Sequence, residues 1–247
     1  MLTAAKLEAI ARSLTPSARR QRAVRRRIAR EHLRGDGIEI GALHLPLRTP
    51  RRARVRYVDR MGVDGLREHY PELADEPLVE VDVIDDGERL ESLASASQDF
   101  VIANHFIEHC EDPLGTIGSH LRVLRPGGVL YLAVPDRRHT FDRDRPVTTL
   151  EHVVRDHRDG GAASRAGHYL EWARAVERLP DDLAPAAAQR LDESDYSIHF
   201  HVWEPDPFLE MLGYGRSELG LPLEVEALQR NGHEFIVVLR RRADEVP

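Results

Sequence analysis

Short, continuously apolar segments alternate with helical segments from residue 37 onward, and this alternation constrains the fold more than any other feature of the chain. It predicts five strands, at residues 37–40, 55–58, 79–83, 99–103 and 129–134. Apolar runs of this length, without polar alternation, are typical of strands that are buried on both faces of a parallel sheet. The sequence therefore predicts an α/β protein with helices on both sides of a mostly parallel sheet.

The last part of the chain adds a different signal. Two further apolar runs, at 221–228 and 233–240, are separated by Arg230-Asn231-Gly232, which is typical of a hairpin turn. A helix is predicted between the fourth and fifth strands, because Asp112 can cap it and Pro113 suits its first turn. The predicted fold is a Rossmann-like, mostly parallel seven-stranded sheet with a C-terminal antiparallel hairpin and an α-helical insertion.

Three regions follow from this pattern. Residues 1–34 form a basic N-terminal helical segment, 35–135 and 198–242 form the core, and 136–197 form a polar insertion on the substrate side. The insertion is predicted to contain two helices, one starting at Thr148 and one running from Ser164 to about Leu179. A short helix is predicted to begin at Asp206-Pro207 and to end at Gly213.

The N-terminal segment carries ten of the 35 Lys and Arg residues but only two acids, although the whole chain has a net charge of −7. Such a basic run raises the question of nucleic-acid binding, but no aromatic residue is interleaved for base stacking. We interpret the segment as a helix pair that packs on the core and helps to form a homodimer or an entrance lid. Its apolar positions are Leu7, Ile10, Leu14, Val24 and Ile28.

Composition excludes several other classes. Cys110 is the only cysteine, so neither a disulfide framework nor a cysteine metal site is expected. No apolar stretch approaches the length of a membrane span, and no signal-peptide core is present. The expectation is a cytoplasmic protein without a nucleic-acid partner.

Polar residues stand at the carboxyl ends of the predicted strands, where ligands bind in open α/β sheets. Glu39 and Gly41 end the first strand, and Asp59 ends the second, where an acid can bind ribose hydroxyls. Asp82 ends the third, where a carboxylate can accept from an exocyclic amine. The first loop has one glycine and Pro46, so it offers few backbone N–H groups to a pyrophosphate. An adenosine cofactor without phosphates, such as S-adenosylmethionine, fits this pattern best.

DFVIANHFIEHCEDP (99–113) and LRVLRPGGVLYLAVPD (121–136) resemble class I S-adenosylmethionine-dependent methyltransferases, in particular the branch with a Leu-Glu-His sequence after the fourth strand. GIEIGA (37–42) and YVDR (57–60) extend the resemblance. It covers about residues 37–134 and 199–240. The loop at 43–47 lacks the later glycines of the family, so no residue there is assigned.

The resemblance implies that Gly41 lies against the methionine part of the cofactor and Asp59 against the ribose. It also implies that Asp82 and the backbone N–H of Val83 contact the adenine and that Asn104 lies at the methyl end. The predicted cofactor-binding residues are Glu39, Gly41, Asp59, Arg60, Asp82, Val83, Asn104 and His105.

Several of the 13 histidines fall in or near the insertion, where a hydroxyl acceptor would need a base. The predicted catalytic residues are His139, Asp136, His168 and His201. His152 and Asp156 are one helical turn apart, so the carboxylate can orient the imidazole. A Mg²⁺ ion near Asp136 and Asp142 is a further hypothesis, although the nearby arginines favour a salt-bridged loop.

The insertion motifs VPDRRHTFDRDRP (134–146), GHYLEW (167–172) and HFHVW (199–203) are similar to actinobacterial sugar O-methyltransferases of methylmannose polysaccharide biosynthesis. That resemblance implies an O-methyltransferase whose partner is a sugar or short oligosaccharide, for example the 1-hydroxyl of a mannoside. The alternatives are methylation of a phenol, amine or carbon centre, or a non-catalytic cofactor-binding module. A nicotinamide dehydrogenase is disfavoured by the missing glycines and the terminal hairpin.

Overall fold

The computed structural model describes residues 15–243 of the 247-residue chain. The strands are β1 (Gly35–Ile40), β2 (Ala53–Asp59), β3 (Val83–Ile84), β4 (Gln98–Asn104), β5 (Leu124–Pro135), β6 (Leu223–Asn231) and β7 (Glu234–Arg241). The helices are α1 (Pro16–His32), α2 (Val63–His69), α3 (Pro113–Val123), α4 (Leu150–Asp159), α5 (Arg165–Ala175), α6 (Ala184–Glu193) and α7 (Pro205–Ser217). Short 3₁₀ turns cover Pro71–Leu73, Ile107–His109, Arg137–His139 and Phe141–Asp144.

All seven strands belong to one sheet in the order β3-β2-β1-β4-β5-β7-β6. The first five are parallel, whereas β7 is antiparallel to both β5 and β6. The predicted Rossmann-like sheet with a C-terminal antiparallel hairpin is therefore confirmed. The carboxyl ends of β1–β4 lie at one edge of the sheet, because parallel strands all point the same way.

The central strands are apolar on both faces because helices cover both faces. Residues of β1, β4 and β5 on one face pack with α3 and α7, in a cluster that includes Ile38, Val101, Leu132, Leu114 and Phe208. On the other face, Phe100, Ile102 and Tyr131 pack against Ile28 and Leu33, which lie in and just after α1. Complete burial of such side chains stabilises the fold by about 1.5–3 kcal/mol each.

Helix α3 follows its sequence signals closely. The side chain of Asp112 accepts a hydrogen bond from the backbone N–H of Gly115, and Pro113 occupies the first turn. Leu114, Ile117 and Leu121 form one buried stripe along the helix.

The third strand differs from its prediction. We predicted residues 79–83, but β3 comprises only Val83 and Ile84 at the edge of the sheet. An edge strand has one neighbour, so fewer residues need to join the ladder. The strand end therefore falls at Asp85 and Asp86 rather than at Asp82.

The polar region between β5 and α7 contains three helices rather than the predicted two, because α6 was missed. Thr149, not Thr148, caps α4, while the Thr148 hydroxyl accepts from the backbone N–H of Val202. Helix α5 ends at Ala175, before the predicted Leu179. Helix α7 begins at Pro205 and continues beyond Gly213 to Ser217.

The basic run at 19–30 lies in α1, which starts after the capping residue Thr15. Its apolar side packs on the sheet through Ile28 and Ala29, with Val24 partly buried. Arg25, which is partly buried, forms an ion pair with the buried Glu234 at the start of β7. The predicted apolar positions Leu7, Ile10 and Leu14 lie outside the described residues. None of the helices within 15–243 combines the length and apolar character that crossing a bilayer requires.

Candidate active site

A cavity of about 540 Å³ opens at the carboxyl edge of the parallel strands. One wall consists of residues that follow β1–β4. The other comes from α5 and from the segment between α6 and α7. From the strand side the lining includes Gly41, Leu43, Asp59, Arg60, Asp86, Gly87, Glu88, His105, Phe106 and His109, and from the other side Arg165, Tyr169, Asp195, Tyr196, Ser197 and Phe200.

Gly41 and Asp59 stand where the sequence places them, at the ends of β1 and β2. Gly41 has a φ of 61°, in the left-handed region that glycine adopts at little cost. Burial raises the pKa of Asp59, whose carboxylate accepts from the backbone N–H of Arg60. Both residues and Arg60 line the cavity.

Asp82 and Val83 do not line the cavity. The Asp82 carboxylate accepts from the backbone N–H of Tyr57 at 2.7 Å, between neighbouring strands. Because β3 ends later than predicted, Asp86 and Gly87 occupy the position at the strand end and line the cavity instead. In the sequence, this strand end is marked by two acids followed by a glycine, at residues 85–87.

Glu39 and Asn104 lie behind the wall. Both carboxylate oxygens of Glu39 accept from the backbone N–H of Leu47, at 2.9 and 3.0 Å, and one also accepts from the Asn104 amide at 3.2 Å. Glu39 is 1% exposed, and this burial raises its pKa to about 7. Its role in the structure is to hold the glycine-poor loop against β1.

His105 lines the cavity as a cation. Burial disfavours its charged form, but hydrogen bonds to Glu108 and Glu234 outweigh this and raise its pKa to about 9. Its Nε2 lies 2.8 Å from Oε2 of Glu234, which also pairs with Arg25 of α1. At neutral pH the imidazole is therefore protonated and unsuited to act as a base.

His109 has the opposite protonation state. Burial lowers its pKa to about 4, helped by the nearby His199, so the ring is neutral at pH 7. Its Nδ1 lies 2.8 Å from the carbonyl oxygen of Ile198 and 3.1 Å from the hydroxyl of Ser197. Because a carbonyl only accepts, Nδ1 carries the proton and Nε2 keeps its lone pair.

An ion-pair network joins the two walls. Asp195 lies 3.4 Å from Arg60 on the strand side and 2.9 Å from Arg165 of α5. Arg165 also pairs with Glu111, which follows the 3₁₀ turn after β4. Acids outnumber arginines in the cavity lining, where the acids are Asp59, Asp86, Glu88, Glu111 and Asp195. Burial, together with Asp86 and Glu111, raises the pKa of Glu88 to about 7.

None of the four predicted catalytic residues lines this cavity. His139 is exposed on a 3₁₀ turn, and the buried Asp136 is paired with Arg138 through both oxygens, at 2.9 and 2.6 Å. His168 and His201 lie together at a separate place, beside His152 and Asp156.

The suggested Mg²⁺ position has no support either. Asp136 is occupied by Arg138, while Asp142 pairs with Arg145 at 2.9 Å and with His199 at 2.7 Å. Among residues 15–243, the groups of side chains that could hold a metal lie elsewhere and include neither carboxylate. The salt-bridged loop that the arginines favoured is what the structure shows.

Comparison with known proteins identifies the chemistry of the domain. Residues 40–132 match the family model of the methyltransferase domain, which runs from the last residue of β1 into β5 and includes the strand-side wall of the cavity. The chain therefore carries a methyltransferase domain. The fold and the matched domain imply that this methyltransferase binds S-adenosylmethionine and methylates an acceptor.

Solved structures of low identity share the fold. An S-adenosylmethionine-dependent methyltransferase of Aquifex aeolicus is 13% identical with a TM-score of 0.50, over 95% of this chain and 97% of that chain. The CurJ carbon methyltransferase is also 13% identical with a TM-score of 0.50, over 96% of this chain but 58% of that chain. A protein of Rhodobacter sphaeroides proposed to be a zinc-dependent alcohol dehydrogenase is 16% identical with a TM-score of 0.52, over 93% and 92%. At these identities the likeness concerns the fold alone. No curated protein matches the methyltransferase.

The residues of the second wall were not predicted from the sequence. Arg165, Tyr169 and Asp195 come from an insertion whose folding onto the strand edge no local pattern announces. The predicted histidines do not line this cavity, whereas His109, which follows β4 within the motif at residues 99–113, does.

Proposed function

We propose that this methyltransferase transfers a methyl group to a hydroxyl of a sugar or short oligosaccharide, for example the 1-hydroxyl of a mannoside. The supporting observation is the two-sided cavity, in which the strand ends face a wall of arginine, acids and aromatic rings from the insertion. We take 35–135 and 198–242 as the core and 136–197 as the acceptor-side insertion.

The cavity suits the cofactor. Its volume of about 540 Å³ is in the range of small-molecule sites. Gly87 has no space for a side chain, because a Cβ there would lie 2.6 Å from Ile40 and 2.7 Å from Phe106. We propose that Gly41 faces the methionine part, Asp59 binds the ribose hydroxyls, and Asp86 with the backbone of Gly87 binds the adenine.

The acceptor wall supports a polyhydroxylated ligand. Tyr169, Tyr196 and Phe200 offer ring faces, and Arg165 and Asp195 offer charged hydrogen-bonding groups. A wall of this composition would leave polar groups unpaired beside an apolar acceptor, which costs free energy.

We propose that His109 is the general base. S-adenosylmethionine supplies an electrophilic methyl group, and an alcohol attacks it efficiently only as its proton leaves. The neutral ring of His109 has a free Nε2, since Nδ1–H is donated to Ile198. In this arrangement His109 takes the proton of the hydroxyl at Nε2.

An amine acceptor is the second candidate, because acids outnumber arginines in the lining and would favour a cationic ligand. A non-catalytic cofactor-binding module remains the third. Radiolabelled methyl transfer over a panel of short mannosides, other oligosaccharides, amines and phenols separates the three.

The mechanism is tested with His109→Gln, using His157→Gln as the matched control. His157 lies on α4, pairs with Asp112, and lines no part of the cavity. We expect His109→Gln to reduce kcat by about 10²–10⁴-fold while calorimetry shows unchanged affinity for S-adenosylhomocysteine. Full turnover by His109→Gln would exclude the base, and methylation of amines alone would exclude the sugar acceptor.

A further inference from the structure

We propose that His152, Asp156, His168 and His201 form a tetrahedral site for a zinc ion that holds the insertion in place. The site is separate from the methyl-transfer cavity, and the inference does not depend on the identity of the acceptor. His152 and Asp156 come from α4, His168 from α5, and His201 from the segment that leads into α7.

The ligand atoms are spaced as a metal would space them. Oδ2 of Asp156 lies 3.0 Å from Nε2 of His152, 3.7 Å from Nε2 of His168 and 3.6 Å from Nε2 of His201. The Nε2 atoms of His152 and His168 are 3.1 Å apart. In a tetrahedron with Zn–N and Zn–O distances near 2.1 Å, neighbouring ligand atoms are about 3.4 Å apart.

Two buried atoms in the group, Oδ2 of Asp156 and Nδ1 of His201, lack hydrogen-bond partners. Asp156 and His201 have fully buried side chains, and His168 is 9% exposed. Oδ2 of Asp156 has no hydrogen-bond partner although three imidazole nitrogens surround it. A buried carboxylate oxygen without a donor is costly, and a divalent cation at the centre of the four atoms removes that cost.

A second layer of contacts orients the ligands. The hydroxyl of Ser164 donates to Oδ1 of Asp156 at 2.7 Å, which leaves Oδ2 to face the three rings. Such hydrogen bonds to ligating carboxylates are a regular part of metal sites. Arg155, which is exposed, contacts Nδ1 of His152 and must turn outward when that nitrogen carries the proton.

The ligand set indicates the metal and its role. Three imidazoles and one carboxylate suit zinc, whereas Mg²⁺ and Ca²⁺ prefer oxygen ligands. Four protein ligands complete a tetrahedron, which is typical of structural zinc sites rather than catalytic ones. A surface cavity of about 460 Å³, lined in part by His152, Ser164 and His168, gives the ion a route to the site.

The site joins segments that form the acceptor wall. Phe200 lines the methyl-transfer cavity next to His201, and the backbone N–H of His201 donates to the carbonyl of Glu108 at 3.2 Å. Tyr169 follows His168 on α5 and lines the same cavity. Zinc at this position would therefore fix two residues of the wall through their neighbours.

The test measures metal in the purified full-length protein by mass spectrometry after dialysis against metal-free buffer. We expect about one equivalent of zinc in the wild type and in the control His157→Gln, which removes an imidazole of α4 outside the group. In His168→Gln and Asp156→Asn we expect less than about a tenth of an equivalent, since each loses a ligand.

Cobalt substitution keeps the test informative if a variant folds poorly. Wild-type protein stripped with a chelator and loaded with Co²⁺ should show the intense visible bands of tetrahedral cobalt, and circular dichroism checks the fold. A folded wild-type protein that takes up neither Zn²⁺ nor Co²⁺ in equilibrium dialysis would overturn the proposal. So would equal metal loss in His157→Gln, or full metal retention in folded His168→Gln.

Discussion

Glu39 shows how a single buried carboxyl couples a loop to the sheet. It accepts hydrogen bonds from Leu47 and Asn104, and its burial raises the pKa to about 7. A carboxyl whose pKa is raised on folding stabilises the fold most when protonated. Its contribution is therefore complete below about pH 4.5 and is lost as the pH rises to about 7.

We expect Glu39→Gln to remove this pH dependence. The amide oxygen still accepts from Leu47, but the amide does not ionise. Between pH 5 and pH 8, urea unfolding should show the variant gaining on the order of 2 kcal/mol relative to the wild type. An unchanged difference between the two proteins across this range would contradict the assignment.

Gly87 is a second residue whose identity is set by its immediate surroundings, which leave no space for a side chain. A Cβ at Gly87 would meet Ile40 and Phe106 in the cavity wall, whereas Gly213, in the exposed side of α7, has open space. We expect Gly87→Ala to weaken S-adenosylhomocysteine binding at least tenfold and to destabilise the protein by about 1–3 kcal/mol. Gly213→Ala should stabilise it by up to about 1 kcal/mol. Calorimetry and urea unfolding measure both, and equal effects of the two substitutions would exclude the steric explanation.

At the scale of elements, α1 connects the basic N-terminal run to the active site. Arg25 of α1 donates to Glu234 of β7, and Glu234 accepts from His105 at the cavity. Asn231 donates to the same carboxylate at 2.6 Å. The arginine-rich sequence thus serves in part as a packing element of the core.

Arg25→Met tests how much the ion pair between α1 and β7 contributes to stability. Removing the guanidinium leaves a buried carboxylate with fewer partners, which we expect to cost about 1–3 kcal/mol in the free energy of unfolding. Arg26→Met, on the exposed side of the same helix, serves as the control and should change stability by less than about 0.5 kcal/mol. The same denaturant midpoint for both variants would show that the Arg25–Glu234 pair does not stabilise the fold.

The elements differ in how well the sequence predicts them. Helix α3 was predictable because its cap, proline and apolar stripe agree. Helix α6 was missed, since its buried positions are the alanines Ala184, Ala187 and Ala188, which give little contrast with the solvent side. Strand β3 was predicted too early because Val alternates with acidic residues over 79–83, ahead of the two-residue strand Val83–Ile84.

At the scale of the whole molecule, the active site depends on contacts between distant parts of the chain. The strand-side residues Gly41 and Asp59 could be placed from sequence, because a parallel sheet brings strand ends together. Arg165 and Asp195 could not, because their positions depend on how an irregular insertion packs. The same limit applies to the proposed zinc ligands, where the α4 pair was predictable and its partners were not.

Ligand binding should stabilise the molecule as one unit, since both walls contact the cavity. At S-adenosylhomocysteine concentrations near 100 times Kd, we expect a gain of about 2.7 kcal/mol and a rise in Tm of roughly 5–10 °C. Asp59→Asn should reduce the rise at the same concentration. Differential scanning fluorimetry measures the rise in Tm. An identical rise in Asp59→Asn would show that Asp59 does not contact the cofactor.

The position of β7 between β5 and β6 has a consequence for synthesis on the ribosome. Strand β5 lies inside the sheet, but β7, one of its two neighbours, follows about a hundred residues later. While those residues are still being translated, the nascent chain displays an apolar strand edge that can pair with other chains. The β5 edge therefore stays unprotected until the last strands of the chain have been made.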